Sequence, residues 1–323
     1  MEECPFIYAQ LSSDAVLRYV TLRYDLPSLV NCVFYVRGLH DNYLVEDIDK
    51  KFILRIYRNN WRTEEEIGFE LGVLNFLGSK TALVAFPLHT KSGELSFFID
   101  SPEGKRSAAL FHYADGHAPG NEISIEQSNL LGNAVAKIHR LTDAFEPQHN
   151  RPILEIPYLL DESLIAIEPF VSAENLKYLK TLGHKLHRAI PVIAKDQGKY
   201  GICIGDVNPT NFHVNAQKQL TIFDFDQCGN GYRAFEIGKF ISSIHTLKGK
   251  KEIVNAFMVG YQQVRQLSEE EILAIPFFEM LAVIWVMAIN VNNVDLIGLK
   301  WLEKPFWDRK LSTLKELESA ASV

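Results

Sequence analysis

Short apolar runs broken by polar turns dominate the first third of the chain. Residues 30–36, 43–46 and 52–57 are short apolar-rich runs separated by polar turns at 37–42 and 47–50. Such runs predict neighbouring strands. Runs at 83–86 and 95–99 flank a loop containing Lys91, Ser92 and Gly93, and 108–113 completes the expected sheet. One helix interrupts these strands. Thr63 followed by Glu66 forms a capping box, and Ile67, Leu71 and Leu74 recur on one face. Glu70 falls within that apolar stripe. A carboxylate there is costly unless a cation meets it, and Arg55 in the neighbouring strand is the natural partner.

Beyond Gly116 the pattern changes to that of a helix. Ser124 and Gln127 form a second capping box, opening a helix with Leu131, Val135 and Ile138 inward. Ser172 opens another, Ser268 with Glu271 a third, and residues 308–323 read as an amphipathic terminal helix. Residues 272–291 are apolar enough to resemble a membrane span, but Glu279 and Asn290 lie inside them. A charge in hydrocarbon is expensive, so this segment reads as a buried helix of a helical domain. The pattern therefore predicts an α+β chain in two parts. Residues 1–113 form an antiparallel sheet with one helix, and 114–323 are mainly helical.

Composition narrows the classes. The 323 residues exceed what one core usually serves. The net charge of −7 argues against nucleic-acid binding and is compatible with a cationic small substrate. Cys4, Cys32, Cys203 and Cys228 show no C-x-x-C spacing, which fits a reducing, cytoplasmic setting without structural zinc or disulfides. The acidic start at residues 1–5 lacks the charge and apolar regions of a signal peptide. No membrane or nucleic-acid partner is expected, and either a monomer or a homodimer is compatible with the sequence.

The chemistry concentrates between residues 204 and 226. Asp206 is followed five positions later by Asn211, and Asp224 lies thirteen residues further on, between Phe223 and Phe225. D-x-x-x-x-N followed by D-F is the spacing of a kinase catalytic loop and metal-binding segment. One carboxylate, Asp206, takes the proton of the attacking hydroxyl. Asn211 and Asp224 supply oxygens for Mg2+, which neutralises charge on the β- and γ-phosphates. Gly205, Asn208 and Pro209 mark the segment as a loop, and 212–214 with 220–223 read as a hairpin carrying Asn211 and Asp224 at its two ends. Asp226 is a weaker candidate for a second metal contact or a turn cap. His139 lies on an apolar helical stripe and reads as a core histidine.

These motifs stand in kinase order, and the chain resembles the aminoglycoside phosphotransferase/choline kinase family. The resemblance runs through Arg55, Glu70 with Leu74 and Leu77, Leu131-Gly132 to His139, Gly205-Asp206 to Asn211, Phe223 to Asp226, and Gly231 to Ile237. It implies a bilobal protein-kinase-like fold with ATP or GTP and Mg2+ bound between the lobes. It also implies phosphate transfer to a hydroxyl of a small, amine-bearing molecule such as an aminoglycoside, homoserine or choline. Arg55, fixed by Glu70, would contact the phosphates, and the hinge at His112 and Ala114 would read the base through its backbone. Glu279 and Trp285 are weaker candidates for the acceptor pocket. Ile204 stands where the family has histidine, Arg55 where many members have lysine, and Glu236-Ile237 where they have Asp-Leu. A pseudokinase, a kinase acting on protein serine or threonine, and a plain interaction domain are the alternative readings.

Overall fold

A computed structural model of the chain describes residues 6–26, 28–190, 193, 195–196 and 198–321. Cys4, the acidic start at 1–5 and the last two residues of the expected terminal helix lie outside them. The chain divides into two compact units. One comprises Met1–Asp115 with the short segments Phe145–Arg151 and Thr221–Phe223; the other comprises Gly116–Ala144, Pro152–Leu220 and Asp224–Val323.

The first unit contains α1 (Ser13–Arg23), β1 (Leu29–Arg37), β2 (Asp41–Asp47), β3 (Lys51–Ile56), α2 (Glu64–Gly78), β4 (Phe97–Ser101) and β5 (Gly104–His112). The strands form one antiparallel sheet in the order β1-β2-β3-β5-β4. Alternation does the work: Tyr43 and Val45 of β2 and Phe52 and Leu54 of β3 are buried, while intervening residues are not all so. Val16 and Val20 of α1 pack against this face. The sequence pattern did not place α1, because its buried stripe is just these two valines. Nor do residues 83–86 form a sheet strand. Val84 makes an isolated bridge to Ile222, and Pro87, which has no N–H to give a ladder, makes one to Phe111. The expected capping box of α2 is present, with Glu66 N–H donating to Thr63 and Thr63 N–H donating to Glu66.

The second unit contains α3 (Ile125–Thr142), α4 (Glu162–Ile167), α5 (Ala173–Ala189), β6 (Tyr200–Cys203), β7 (Phe212–Val214), β8 (Leu220–Ile222), β9 (Gly229–Tyr232), α6 (Arg233–Ser243), α7 (Lys250–Gln262), α8 (Glu269–Asn292), α9 (Val294–Ile297) and α10 (Lys304–Ala320). The last residues of β8 cluster with the first unit, where Ile222 exchanges hydrogen bonds with Leu83 and Ala85. Two glycines let α3 and α7 approach closely: a methyl on Gly132 would sit 2.1 Å from the Phe257 carbonyl oxygen, and one on Gly260 2.0 Å from that of Asn129. Helix α8 is long and apolar enough to span a membrane, yet 67% of its most apolar window is buried within the structure. It packs on α6 through Phe235, whose ring lies 5.8 Å from Trp285 and 6.2 Å from Phe278. Rings at these separations contribute beyond their buried area.

Candidate active site

The loop after β6 is braced from three directions. Gly205 has φ +85°, a conformation that L side chains rarely adopt, and a methyl there would lie 2.0 Å from the Gln227 carbonyl oxygen. The loop therefore lies directly against the segment that follows Asp224. Within the loop, Asn211 donates to the Asp206 carboxylate at 2.8 Å and to its carbonyl at 3.0 Å, and Asn208 donates to the same two groups at 3.0 and 3.2 Å. Asp206 and Asn211, expected from their spacing to act together, are thus in direct contact.

Helix α6 supplies the other two braces. The Ile204 and Gly205 N–H groups donate to the Glu236 carboxylate at 2.6 and 2.8 Å. Glu236 is fully buried; burial pushes its carboxyl up to about 7, against the opposing pull of the two N–H donors and of Lys239. One turn along, the Lys239 ammonium donates to the Asp206 carboxylate. Residues three apart on a helix share a face, so one face of α6 holds both the backbone and the carboxylate of the loop. The sequence reading treated Glu236 as a conservative replacement and did not find Lys239. The available signal was Lys239 three residues beyond Glu236, on the same helical face in a stretch that otherwise carries only Arg233 as a charge.

Asp224 adopts φ +63°, in the left-handed region that costs a non-glycine residue about 1–2 kcal/mol. Strain of this kind persists where surrounding structure holds it, often at functional sites. Asn211 turns its amide nitrogen to Asp206, and its oxygen accepts a long 3.4 Å bond from the Thr210 hydroxyl. An amide oxygen and a carboxylate are hard donors suited to Mg2+, so this pair fits the ion. Asp226 is buried and accepts from the Gln227 side chain at 3.0 Å.

In the first unit Arg55 and Glu70 meet at 3.0 Å, with Glu70 fully buried and also accepting from the Tyr57 hydroxyl at 3.2 Å. The Arg55 guanidinium lies 5.5 Å from the Phe111 ring. His112, at the end of β5, packs its ring 4.2 Å from Phe86, and burial holds its imidazole below the usual value. Its N–H donates to the Phe86 carbonyl, so that donor is already committed within the unit. Ala114 is buried two residues further on.

Residues 36–271 match the model of the phosphotransferase enzyme family, which is most of the chain. The chain belongs to this family. An uncharacterized protein, sll1119, of Synechocystis sp. (strain PCC 6803) is 37% identical over 98% of this chain and 88% of its own length. A homoserine kinase of Agrobacterium fabrum is 22% identical, covering 84% of this chain and 82% of its own. Among solved structures, a microcompartment-associated aminopropanol kinase superposes with a TM-score of 0.77 at 20% identity, covering 96% of both chains. Amicoumacin kinase hAmiN, in complex with AMP-PNP, Ca2+ and Ami, gives 0.76 at 20% identity, over 96% of this chain and 93% of its own. The fold is thus the kinase-like α+β fold, and the chain is a phosphotransferase by family.

Two further candidates of this phosphotransferase have other surroundings. Glu279 is buried and accepts from Lys250 at 2.8 Å, and Trp285 is buried between Phe235 and Tyr158. The family's histidine position is filled by Ile204, 1% exposed, whose backbone N–H still reaches Glu236. His139 is buried and shares a 2.9 Å hydrogen bond with the Tyr261 hydroxyl, the placement of a core histidine.

Proposed function

We propose that this protein transfers the γ-phosphoryl group of ATP to the hydroxyl of a small molecule, with Asp206 as the base. The hydroxyl oxygen attacks the γ-phosphorus, the bond to the β–γ bridging oxygen breaks, and ADP leaves. The Asp206 carboxylate takes the hydroxyl proton. The observation that carries this reading is the bracing of Asp206: two amide side chains and the Lys239 ammonium fix its carboxylate, while Glu236 fixes the backbone before it. Fixed donors and acceptors need no reorganisation during reaction, which is where phosphoryl transfer gains most of its rate. Mg2+, when held by Asn211 and Asp224, would neutralise charge on the β- and γ-phosphates. Arg55, held by Glu70, is assigned to the phosphates, and Ala114 to the adenine edge by its backbone.

The names of the relatives support acceptors that carry a hydroxyl: homoserine kinases in sequence, aminopropanol and amicoumacin kinases in fold. We assign the protein to the cytoplasm on its cysteine usage.

The test is ADP release from Mg–ATP across a panel of hydroxyl compounds, with GTP as competitor, for wild type and Asp206→Asn. The expected result is at least a thousandfold loss of turnover in Asp206→Asn while Mg–ATP still raises the melting temperature. Undiminished turnover would remove Asp206 from its role. Binding without turnover in the wild type would make this a pseudokinase, and no binding at all an interaction domain.

A further inference from the structure

A cavity of about 440 Å³ opens in the second unit beside the Asp206 loop, a volume in the range of small-ligand sites. Asn208, Pro209 and Thr210 of the loop line it, together with residues of α6, α8 and α10. Its charged lining is of one sign. Lys239, Arg309 and Lys310 contribute cations, His245 a fourth basic group, and no aspartate or glutamate is among the lining residues. Lys239 is paired with Asp206, and His245 lies 3.7 Å from Glu279 and 3.4 Å from Glu316. Among the described residues neither Arg309 nor Lys310 forms an ion pair, and the groups acting on Lys310 are burial first, then Lys239, then Arg309, all lowering its proton affinity. A chain of net charge −7 has here gathered uncompensated positive charge in a concave, partly desolvated place.

Lys310 is half-buried and Arg309 exposed; like charges held side by side at the mouth of a cavity are costly to keep, and a bound anion offsets that cost. An ammonium in the same cavity would meet repulsion and find no lining carboxylate. Two of the cations, Arg309 and Lys310, lie on α10, beyond the residues that match the family model. The charge is carried by the C-terminal helix.

Building on the phosphotransferase reading above, we propose that the acceptor bears an anionic group, a carboxylate or a phosphate, and that Arg309 and Lys310 bind it in this cavity. On this proposal the small acceptor that the family resemblance implies is an acid, or a zwitterion whose acidic group enters here while its amine lies elsewhere. Of the cavity's hydroxyls, those of Ser242 and Ser243 already donate to the Lys239 and Phe240 carbonyls, which leaves Thr313 as a neutral donor for a remaining oxygen.

The experiment uses the full-length protein and two measurements. In the first, ADP release from Mg–ATP is compared across hydroxycarboxylates, sugar phosphates, amino alcohols, aminoglycosides and neutral polyols. Turnover is expected with the carboxylates or phosphates, and Arg309→Met or Lys310→Met should raise acceptor KM at least tenfold with ATP KM unchanged. Amino alcohols or aminoglycosides turning over as well as the acids, or variants with wild-type acceptor KM, would overturn the proposal. In the second, malonate and inorganic phosphate are titrated calorimetrically into protein with and without Mg–AMP-PNP. The wild type should bind one of them whichever acceptors react, and the double variant should bind at least tenfold more weakly. Which probe binds distinguishes a carboxylate site from a phosphate site. No binding, or equal binding by the variant, sinks the idea. The underlying kinase reading fails separately, as absence of Mg–AMP-PNP binding or as indifference of turnover to Asp206→Asn.

Discussion

Gly205→Ala tests the bracing of the loop with the least chemical change. The added methyl would begin 2.0 Å from the Gln227 carbonyl oxygen, whereas ordinary contact starts near 3.4 Å. More than an ångström of relief is needed, and both neighbours are backbone. Alanine at φ +85° adds about 1–2 kcal/mol of conformational cost. The loop cannot relieve the clash by moving freely, because the Ile204 and Gly205 N–H groups are held on Glu236 and the Asp206 carboxylate on Lys239. Displacement must therefore be shared with Asp206 itself, and a misplacement of about 1 Å at a reacting group costs on the order of a hundredfold in rate. The expected variant is folded, melts roughly 4–8 °C lower, binds Mg–ADP, and turns over about a hundredfold more slowly with acceptor KM little changed. Steady-state ADP release and thermal melts measure both. Turnover within about twofold of wild type would refute the claim that the loop's position is set by this contact.

Three other outcomes follow from buried groups. Glu70→Ala takes away the carboxylate to which Arg55 and Tyr57 donate, and should cost about 3–5 kcal/mol by urea denaturation, with a higher KM for ATP. Glu236 holds its proton more tightly folded, at about 7, than at the ordinary 4.5. Its contribution to stability is therefore fully present below about pH 4.5 and is lost as pH rises through 7, a difference on the order of 3 kcal/mol. Unfolding free energies of Glu236→Gln measured across this window should lack that slope, and an identical slope in both proteins would contradict it. Trp285→Ala should destabilise by about 3–5 kcal/mol while acceptor KM stays at the wild-type value, because the ring is core; a KM effect larger than about threefold would place it at the acceptor instead.

Capped and strongly periodic elements were legible before any coordinates. The helices begun by Thr63, Ser124, Ser172 and Ser268 start where side-chain caps mark them, since capping is a local interaction written in adjacent residues. The Arg55–Glu70 pair was legible because a carboxylate in an apolar stripe demands a cation, and the D-x-x-x-x-N spacing picked out the loop in which Asn211 donates to Asp206, though not that bond. What escaped has little local signature. Helix α1 buries two valines and depends on the sheet it covers. The buried pair of Asp41 and Arg106, 3.1 Å apart, joins residues far apart in sequence. The same holds for Lys239 on Asp206, and for Arg309 and Lys310 meeting the loop's cavity from the C-terminal helix.

Net charge and local charge answer different questions. A net charge is a sum over the surface and speaks to solubility and long-range steering; a binding site feels the few groups that line it. Helix α6 makes the local arrangement explicit. Glu236 faces the backbone of the loop, where two N–H dipoles call for an acceptor, and Lys239, one turn on, faces the carboxylate that the same loop presents. Exchanging the two charges would set a carboxylate against Asp206 and an ammonium against two donors, so the order of signs along α6 is dictated by the direction of the loop chain. Once Lys239 is consumed by Asp206, the charge that remains toward the cavity is that of α10, and it is positive. The loop and α6 thus fix one another through a pair of opposite charges, and the proposed acceptor site draws its charge from α10.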